Sequence, residues 1–468
     1  MLAAGALVGL LPLAFGLVPG DEATRLERLI VGYGLAGLPF LLVWRGWRAL
    51  PDRLAPLLAV AVGIRLLLLL LPPLLSEDVW RYVWDGAMQL AGQNPYALAP
   101  LDPALDALAA DPTLAAVRAA IGHGHIPTIY PPMAQAFFAG AGLLGPAPIW
   151  IRLGLVAADA GAIAALWALA RRAGRPPQAV ALLAFAPPAV LEGAVGAHVD
   201  ALGVACLALA LGLLGRRRLL AGVALGASVA TKLLPLMAWP VLLRRGRGPL
   251  LAAVATVGLV ALPYLAAGPA LVQGLGAYGA RWRANDGFFA LLIEGFQRIW
   301  PPAGVAVELP AWAARLARTL VGPSGGPDPL EIWPDELAFA AAKVVALGLF
   351  GLVWLLLAAR AWRAPDATSA LATLLGPATG ALRAALAGGA PWYLLWVLPL
   401  VVHAAGRRWT WPFLAWQATV FLAYLPRPDY LRGLGWEAAP AAVWLQYAPV
   451  WFVLAMAAWP GVQRRSAG

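Results

Sequence analysis

Charge is what this sequence has least of. Asp, Glu, Lys and Arg make up 12% of its 468 residues, about half the roughly 25% of an ordinary soluble domain. A water-covered surface cannot be assembled from that supply, which excludes the soluble globular classes. Cysteine is nearly absent: Cys206 stands alone in an apolar run, so there is neither a disulfide framework nor a thiolate metal site. Lysine is scarce as well, with only Lys232 and Lys343 among 34 basic residues. The net charge of +11 rests on arginines clustered at the ends of apolar runs, where they read as topology signals and not as a nucleic-acid surface.

What is abundant is apolar surface, at 62% of residues. Runs of about the length that crosses a hydrocarbon core recur from Met1 to Pro460, continuous and not alternating, which argues for helices and against a β-barrel. The first run, Met1 to Val18, lacks a basic leader and a clean small-residue cleavage site and reads as a retained span. The fold expected is all-α and polytopic, one membrane domain over residues 1–468 with roughly 12–14 spans.

Arginine positions orient the chain. Clusters at 45/48/53, 171/172/175, 216–218, 244/245/247, 360/363, 407/408 and 464/465 hold 18 arginines with only Asp52 and Asp366 as acidic company. The positive-inside rule places these seven loops in the cytoplasm. Apart from Asp159, within a span, the remaining 20 acidic residues fall in the other polar segments, including two large loops at 76–130 and 269–336 that should face outward. Three helices then come out too short. From Arg218 to Arg244 each arm reaches roughly 20 Å of a core of about 30 Å, which puts Lys232 and Pro235 at the tip of a re-entrant hairpin. The arm from Gln178 to Leu191 is broken by Pro187-Pro188, so the loop from Glu192 to Asp200 should be sunken. Pro132 to Leu144 should be interfacial or re-entrant. Irregular backbone at membrane depth is tolerated where it lines a cavity, so these breaks point to a site on the outer side.

The chemistry-bearing residues gather on that side. Asp78, Arg81 and Asp85 recur at helical spacing and share a face. A carboxylate at the membrane edge suits a base acting on a substrate hydroxyl, or Asp78 caps the helix and pairs with Arg81 or Arg118. His123 and His125 lead into Tyr130-Pro131-Pro132. Spaced by one, with no third ligand at matching spacing, they fit contacts to a sugar or lipid phosphate better than a metal. Glu192, His198 and Asp200 are ionisable groups at depth, with an Asp200–Lys232 pair as the structural alternative. Lys232 could hold a lipid phosphate or merely snorkel. Arg281 and Arg283 flank Trp282 and could clamp a phosphate. Trp392 and Tyr393 could stack on a sugar or anchor at the interface.

Together, Asp78-Val-Trp-Arg81-Tyr82-Val-Trp-Asp85-Gly86, Gly92-Gln-Asn94-Pro95-Tyr96, Tyr130-Pro131-Pro132, Gly196-Ala-His198-Val-Asp200, Lys232-Leu-Leu-Pro235 and Pro391-Trp392-Tyr393 resemble the bacterial polyprenyl-phosphate-dependent mannosyltransferases of the GT-C superfamily, including the α-1,6-mannosyltransferase group. The likeness runs from about Leu54 to Val402. It implies a GT-C type fold with juxtamembrane helices in the first catalytic loop, and a location in the bacterial inner membrane. The reaction it implies is inverting transfer of a hexose, mannose above all, from a polyprenyl-phosphate donor to a glycolipid or glycan acceptor on the extracytoplasmic face. Asp78 matches the family's acidic loop residue and would be the general base. Donor and acceptor contacts are expected from Glu77, Arg81, Tyr82, Asp85, Asn94, Tyr96, His125, Tyr130, Glu192, His198, Asp200, Lys232, Arg281, Arg283, Trp392 and Tyr393, with no metal or other cofactor. Intramembrane Asp200 and Lys232 would also suit a secondary transporter or lipid flippase. A non-catalytic lipid-binding scaffold is a third reading.

Overall fold

In a computed structural model the chain is 74% helical with almost no strand. The structure describes residues 5, 9–244, 246–283, 285–302, 304–322, 330–364, 366–385, 389–437 and 439–458. Among them the only strands are Val307–Glu308 and Glu331–Ile332, paired antiparallel with Val307 opposite Ile332 in the second large loop. Four helices are long and apolar enough to cross a bilayer. These are α1 (Glu22–Gly46, extended to Ala49), Pro148–Arg172, the run Arg247–Ala280 and Pro334–Trp362. The other apolar helices are shorter, so any further crossings among the roughly 12–14 expected would be made by broken pieces. Large apolar side chains such as Leu70, Leu251 and Leu352 are left exposed, as a lipid-facing surface requires.

The first of the four begins where the Asp21 carboxylate accepts the Thr24 backbone N–H at 2.8 Å, an N-cap that fixes the helix start. The described part of the first apolar run lies antiparallel beside α1. Gly9 meets Pro39, Gly32 meets the Pro12 carbonyl, and Gly16 meets Leu29. It does so as a 3-10 helix, Leu11–Leu17, and not as the α-helix expected of a span.

Next come α2 (Ala55–Leu68), α3 (Asp78–Leu90), α4 (Pro132–Gly142) and α5 (Pro148–Arg172). At eleven residues, α4 reaches only about 16 Å. The centre of the molecule is the segment that the double proline breaks. Every residue from Gln178 to Asp200 is buried, yet helix is interrupted at Phe185-Ala186 before α6 (Pro187–Ala194) restarts it, because a proline lacks the N–H and disfavours helix in the residue before it. The broken ends need partners, and Arg152 of α5 supplies them. Its guanidinium donates to the carbonyls of Ala194 (2.6 Å), Leu71 (2.7 Å) and Leu68 (3.1 Å), which close α6 and α2. Arg152→Leu should therefore cost on the order of 3 kcal/mol of stability, since one unmet buried carbonyl is worth about 1–3 kcal/mol; a lowered unfolding temperature in detergent would record it. A buried pair between Arg65 and Asp159 ties α2 to α5 in the same layer.

Beyond the break run α7 (Asp200–Leu213), α8 (Arg218–Thr231) and α9 (Arg247–Ala261). Gly222 and Gly226, one turn apart on α8, let it approach α9 until an added Cβ would sit 2.2 Å from the Pro249 carbonyl oxygen and 2.5 Å from that of Ala253. This small-xxx-small contact is how membrane helices pack without a hydrophobic drive between them. Helix α8 stops at Thr231; Lys232 is extended (φ −158°, ψ 136°), and the chain turns back through Leu234–Ala238 and Trp239–Arg244. The break falls at the residue expected for the hairpin tip.

Candidate active site

Helix α3 opens the loop at 76–130 and carries Asp78 at its first position, with the Ser76 hydroxyl accepting the Asp78 backbone N–H at 3.1 Å. It lies on α4 at Gly86, where a Cβ would come within 2.5 Å of the Phe138 carbonyl oxygen. Tyr82 stacks on Phe138 at 4.3 Å and meets Tyr130 edge-on at 4.8 Å. Gly86→Val should push α3 away from α4 and reduce both stability and activity; thermal unfolding alongside a transfer assay would register the paired loss.

Asp78 opens into a cavity of about 360 Å³, within the range of roughly 300–1,000 Å³ typical of ligand sites. Of the residues expected at a site, Glu77, Asp78, Arg81, Tyr130, Arg283 and Trp392 line it. Around them stand His123, which the sequence offered with His125 as a sugar or phosphate contact, and Tyr278, Trp282, Tyr424, Arg427 and Tyr430, which it did not place among the contacts. Arg81 donates to Asp85 (2.7 Å) and to the Ile126 carbonyl (2.9 Å), which leaves its buried Nη2 without a partner among the described residues. Arg427 donates to the Leu74 carbonyl at 2.7 Å and lies 3.7 Å from Glu77. Arg283, the most exposed of the three, grips Asp286 through two nitrogens. The cavity thus faces carboxylates on one element with guanidiniums from three.

Several expected contacts lie off the cavity for clear reasons. Asp85 is fully buried, accepting from Arg81 and from Gln135 at 2.8 Å, so it orients Arg81 and cannot meet a ligand. The Asn94 carboxamide accepts the Tyr96 N–H and donates to the Tyr264 carbonyl, and the Tyr96 hydroxyl donates to the carbonyl of Tyr130, so both brace the loop. Tyr82 is packed inside. His125 points to solvent, and it is its neighbour His123 that lines the cavity, against Trp282 at 4.3 Å. Lys232 is engaged by Asp200 at 2.8 Å and lies 4.5 Å over the Tyr393 ring; Asp200 also accepts from the Trp396 indole. The pair offered as the structural alternative thus forms, and Lys232 is not among the residues lining the cavity. The Arg281 side chain lies outside the described residues.

Behind Asp78 is a second layer. His198 Nδ1 is 3.6 Å from Asp78 and its Nε2 is 3.4 Å from Glu192, with the ring stacked on Trp392 at 3.7 Å. Glu192 in turn accepts the Tyr424 hydroxyl at 2.8–2.9 Å. Burial pushes the Asp78 carboxyl up, but the His198 ring, the Lys232 charge and the Tyr130 hydroxyl outweigh it and hold the group below its ordinary 3.8. Asp78 is consequently an ionised base at neutral pH. Burial first, and then the His125 ring, lower His123 from 6.5, so His123 is a neutral ring there.

Backbone strain marks the same place. Three non-glycine residues among those described have positive φ: His123 (56°), Ala197 (55°) and Asn285 (53°). His123 and Asn285 line the cavity, and Ala197 delivers His198. Such conformations cost about 1–3 kcal/mol each and gather at functional sites.

Arginines mark the opposite end of α1. Arg48, Arg175 and Arg407 surround a second cavity of about 240 Å³, with Arg175 donating to the His403 carbonyl at 2.7 Å. There they offset the carbonyls exposed at helix C-termini. The first cavity lies toward the α1 N-terminus, where Glu27 pairs with Arg432, close in the chain to Arg427.

The chain thus has an all-α fold with four helices long and apolar enough to cross a membrane, and a cavity in which carboxylates face guanidiniums. Residues 18–244, just under half of the chain, match the alpha-(1->6)-mannopyranosyltransferase N-terminal domain model of the MptA_B family. The match includes Asp78, Glu192, His198, Asp200 and Lys232, and ends before Arg283, Trp392 and Arg427. No curated protein matches the chain.

Proposed function

We propose that this protein moves mannose, with inversion, from a polyprenyl-phosphate donor to a glycolipid or glycan hydroxyl on the extracytoplasmic face of the bacterial inner membrane. The observation that carries the reading is the ionised Asp78 sharing one cavity with Arg81, Arg283 and Arg427. In it, Asp78 takes the proton of the acceptor hydroxyl as that oxygen attacks the anomeric carbon from one side. The bond to the phosphate oxygen breaks on the other side, and the guanidiniums hold the charge that develops there. His123, Trp282 and Trp392 supply aromatic walls against which a sugar can stack. A single phosphate leaving group is matched by these cations, so the mechanism calls for no metal. The short α4 and the break at Lys232 are read as re-entrant, and the cavity's distance from the arginine end supports an outward orientation.

The experiment is transfer by purified protein in sealed vesicles of one orientation, with polyprenyl-phosphate-mannose in the bilayer and an α-mannosyl disaccharide on one side. Product is expected only when the disaccharide meets the face away from the arginine loops. Movement of the donor across the bilayer without any new glycoside would favour a flippase instead.

A further inference from the structure

His198 has no exposure, and neither of its ring nitrogens has a hydrogen-bond partner among the described residues. An orphaned buried imidazole calls for an explanation. Its surroundings fix it: the backbone N–H donates to the Glu192 carbonyl at 2.8 Å, Trp392 covers the ring, and Gly196 leaves room that a Cβ, 2.7 Å from His198 Cδ2, would fill. The ring spans two carboxylates, with gaps of 3.6 Å to Asp78 and 3.4 Å to Glu192. Both exceed a hydrogen bond by only a few tenths of an ångström. Glu192 is fully buried and anchored by Tyr424, whereas Asp78 opens to the cavity. An imidazole is the side chain that can donate from one nitrogen while it accepts at the other.

We propose that His198, oriented by Glu192, is a positioning residue that holds the acceptor's proton behind Asp78 during transfer. The inference rests on the reading of Asp78 as the base. In the resting site the ring lies between Asp78 and Glu192, within a few tenths of an ångström of a hydrogen bond to each. When the acceptor O–H bond breaks, its proton passes to Asp78 and is drawn onto Nδ1. The imidazolium is then held between ionised Asp78 and the Glu192 carboxyl group while the oxygen–carbon bond forms and the phosphate leaves with its electron pair. The proton returns through Asp78 to the departed phosphate, and His198 is neutral again with its tautomer unchanged. Glu192, anchored by Tyr424, thereby fixes the ring's orientation behind Asp78.

Two measurements on the full-length protein test this. The charged or titratable groups facing the ring are Asp78, Glu192, Asp200 and Lys232. In nitrogen-15 histidine spectra, Glu192→Gln and Asp78→Asn should each move the His198 ring signals; signals unmoved by Glu192→Gln overturn the proposal whether or not the protein is active. In the mannose-transfer assay, His198→Gln should lower kcat by roughly 100-fold, leave the donor KM unchanged and alter the pH profile. Glu192→Gln should match it, and the double variant should lose no more than either single one. Multiplied losses in the double variant, or a changed KM with kcat intact, refute the link. Ring signals that respond in a protein that transfers no mannose would leave the Glu192–His198 coupling standing and remove Asp78's role as base, and with it the proposal.

Discussion

Asp78→Asn should lower mannosyl transfer by about 10²–10⁴-fold, the span attributed to a positioned general base, while the donor still binds. The substitution keeps the shape of the side chain and leaves the backbone N–H that Asp78 donates to Ser76 untouched, but removes the charge that takes the proton. Because the neighbouring groups hold Asp78 below 3.8, it stays ionised at any pH more than about one unit above that value. The sign follows: a lowered carboxyl pKa keeps the base, and the stability its charge contributes, through neutral pH, and both are lost only as pH falls through the folded-state value. An acid limb of the rate near neutrality would therefore belong to another group. Measuring kcat/KM from mildly acid to neutral pH with wild type and variant checks both parts, and an Asp78→Asn protein as active as wild type would remove the base from the mechanism.

Arg427→Ala should be the next most damaging change. Arg427 is nearly inaccessible, held by the Leu74 carbonyl and set beside Glu77 on the cavity wall, so its charge is fixed where the leaving phosphate must be met. Its removal strips charge-assisted hydrogen bonds from the phosphate and leaves Glu77 unopposed in the cavity. Expected is a fall in kcat/KM of roughly 100-fold, carried by kcat as well as by donor KM, because the phosphate's charge grows in the transition state. Arg427→Lys should recover only part of it, since an ammonium cannot keep the carbonyl bond and the phosphate contact in one planar fork. Lys232→Ala should act differently. Its partner is Asp200, so the loss should appear chiefly in stability, as a buried carboxylate is left uncompensated. Comparing unfolding temperature with donor KM in the two variants separates these roles.

How much could be read beforehand follows from what kind of signal each feature gives. Helicity, membrane character and the breaks at Pro187-Pro188 and Lys232 are local facts, set by apolar run length, proline chemistry and arginine spacing, and they were legible. The α3 cluster was legible too, because Asp78, Arg81 and Asp85 repeat at helical spacing. The sequence could not say that Asp85 turns inward to hold Arg81, since that depends on Gln135 arriving 50 residues later. Arg427 and Tyr424 lie some 350 residues beyond Asp78 and meet it only through tertiary packing. One signal did exist for Arg427: it is an arginine in a segment, 426–437, that the arginine clusters predict to face outward, where topology gives no reason for one. His123 and His125 are indistinguishable by type, and only the left-handed backbone at His123 decides which ring enters the cavity. For Lys232 the sequence left phosphate holding and an Asp200 pair both open, and the structure shows the pair.

The most direct test is a structure of the full-length protein in a lipid disc with a non-transferable phosphonate analogue of polyprenyl-phosphate-mannose. The account predicts the phosphonate oxygens against Arg81, Arg283 and Arg427, with the anomeric carbon between them and Asp78. A headgroup seated instead at the Arg48–Arg175–Arg407 end, or a sugar with Asp78 out of reach, would contradict it.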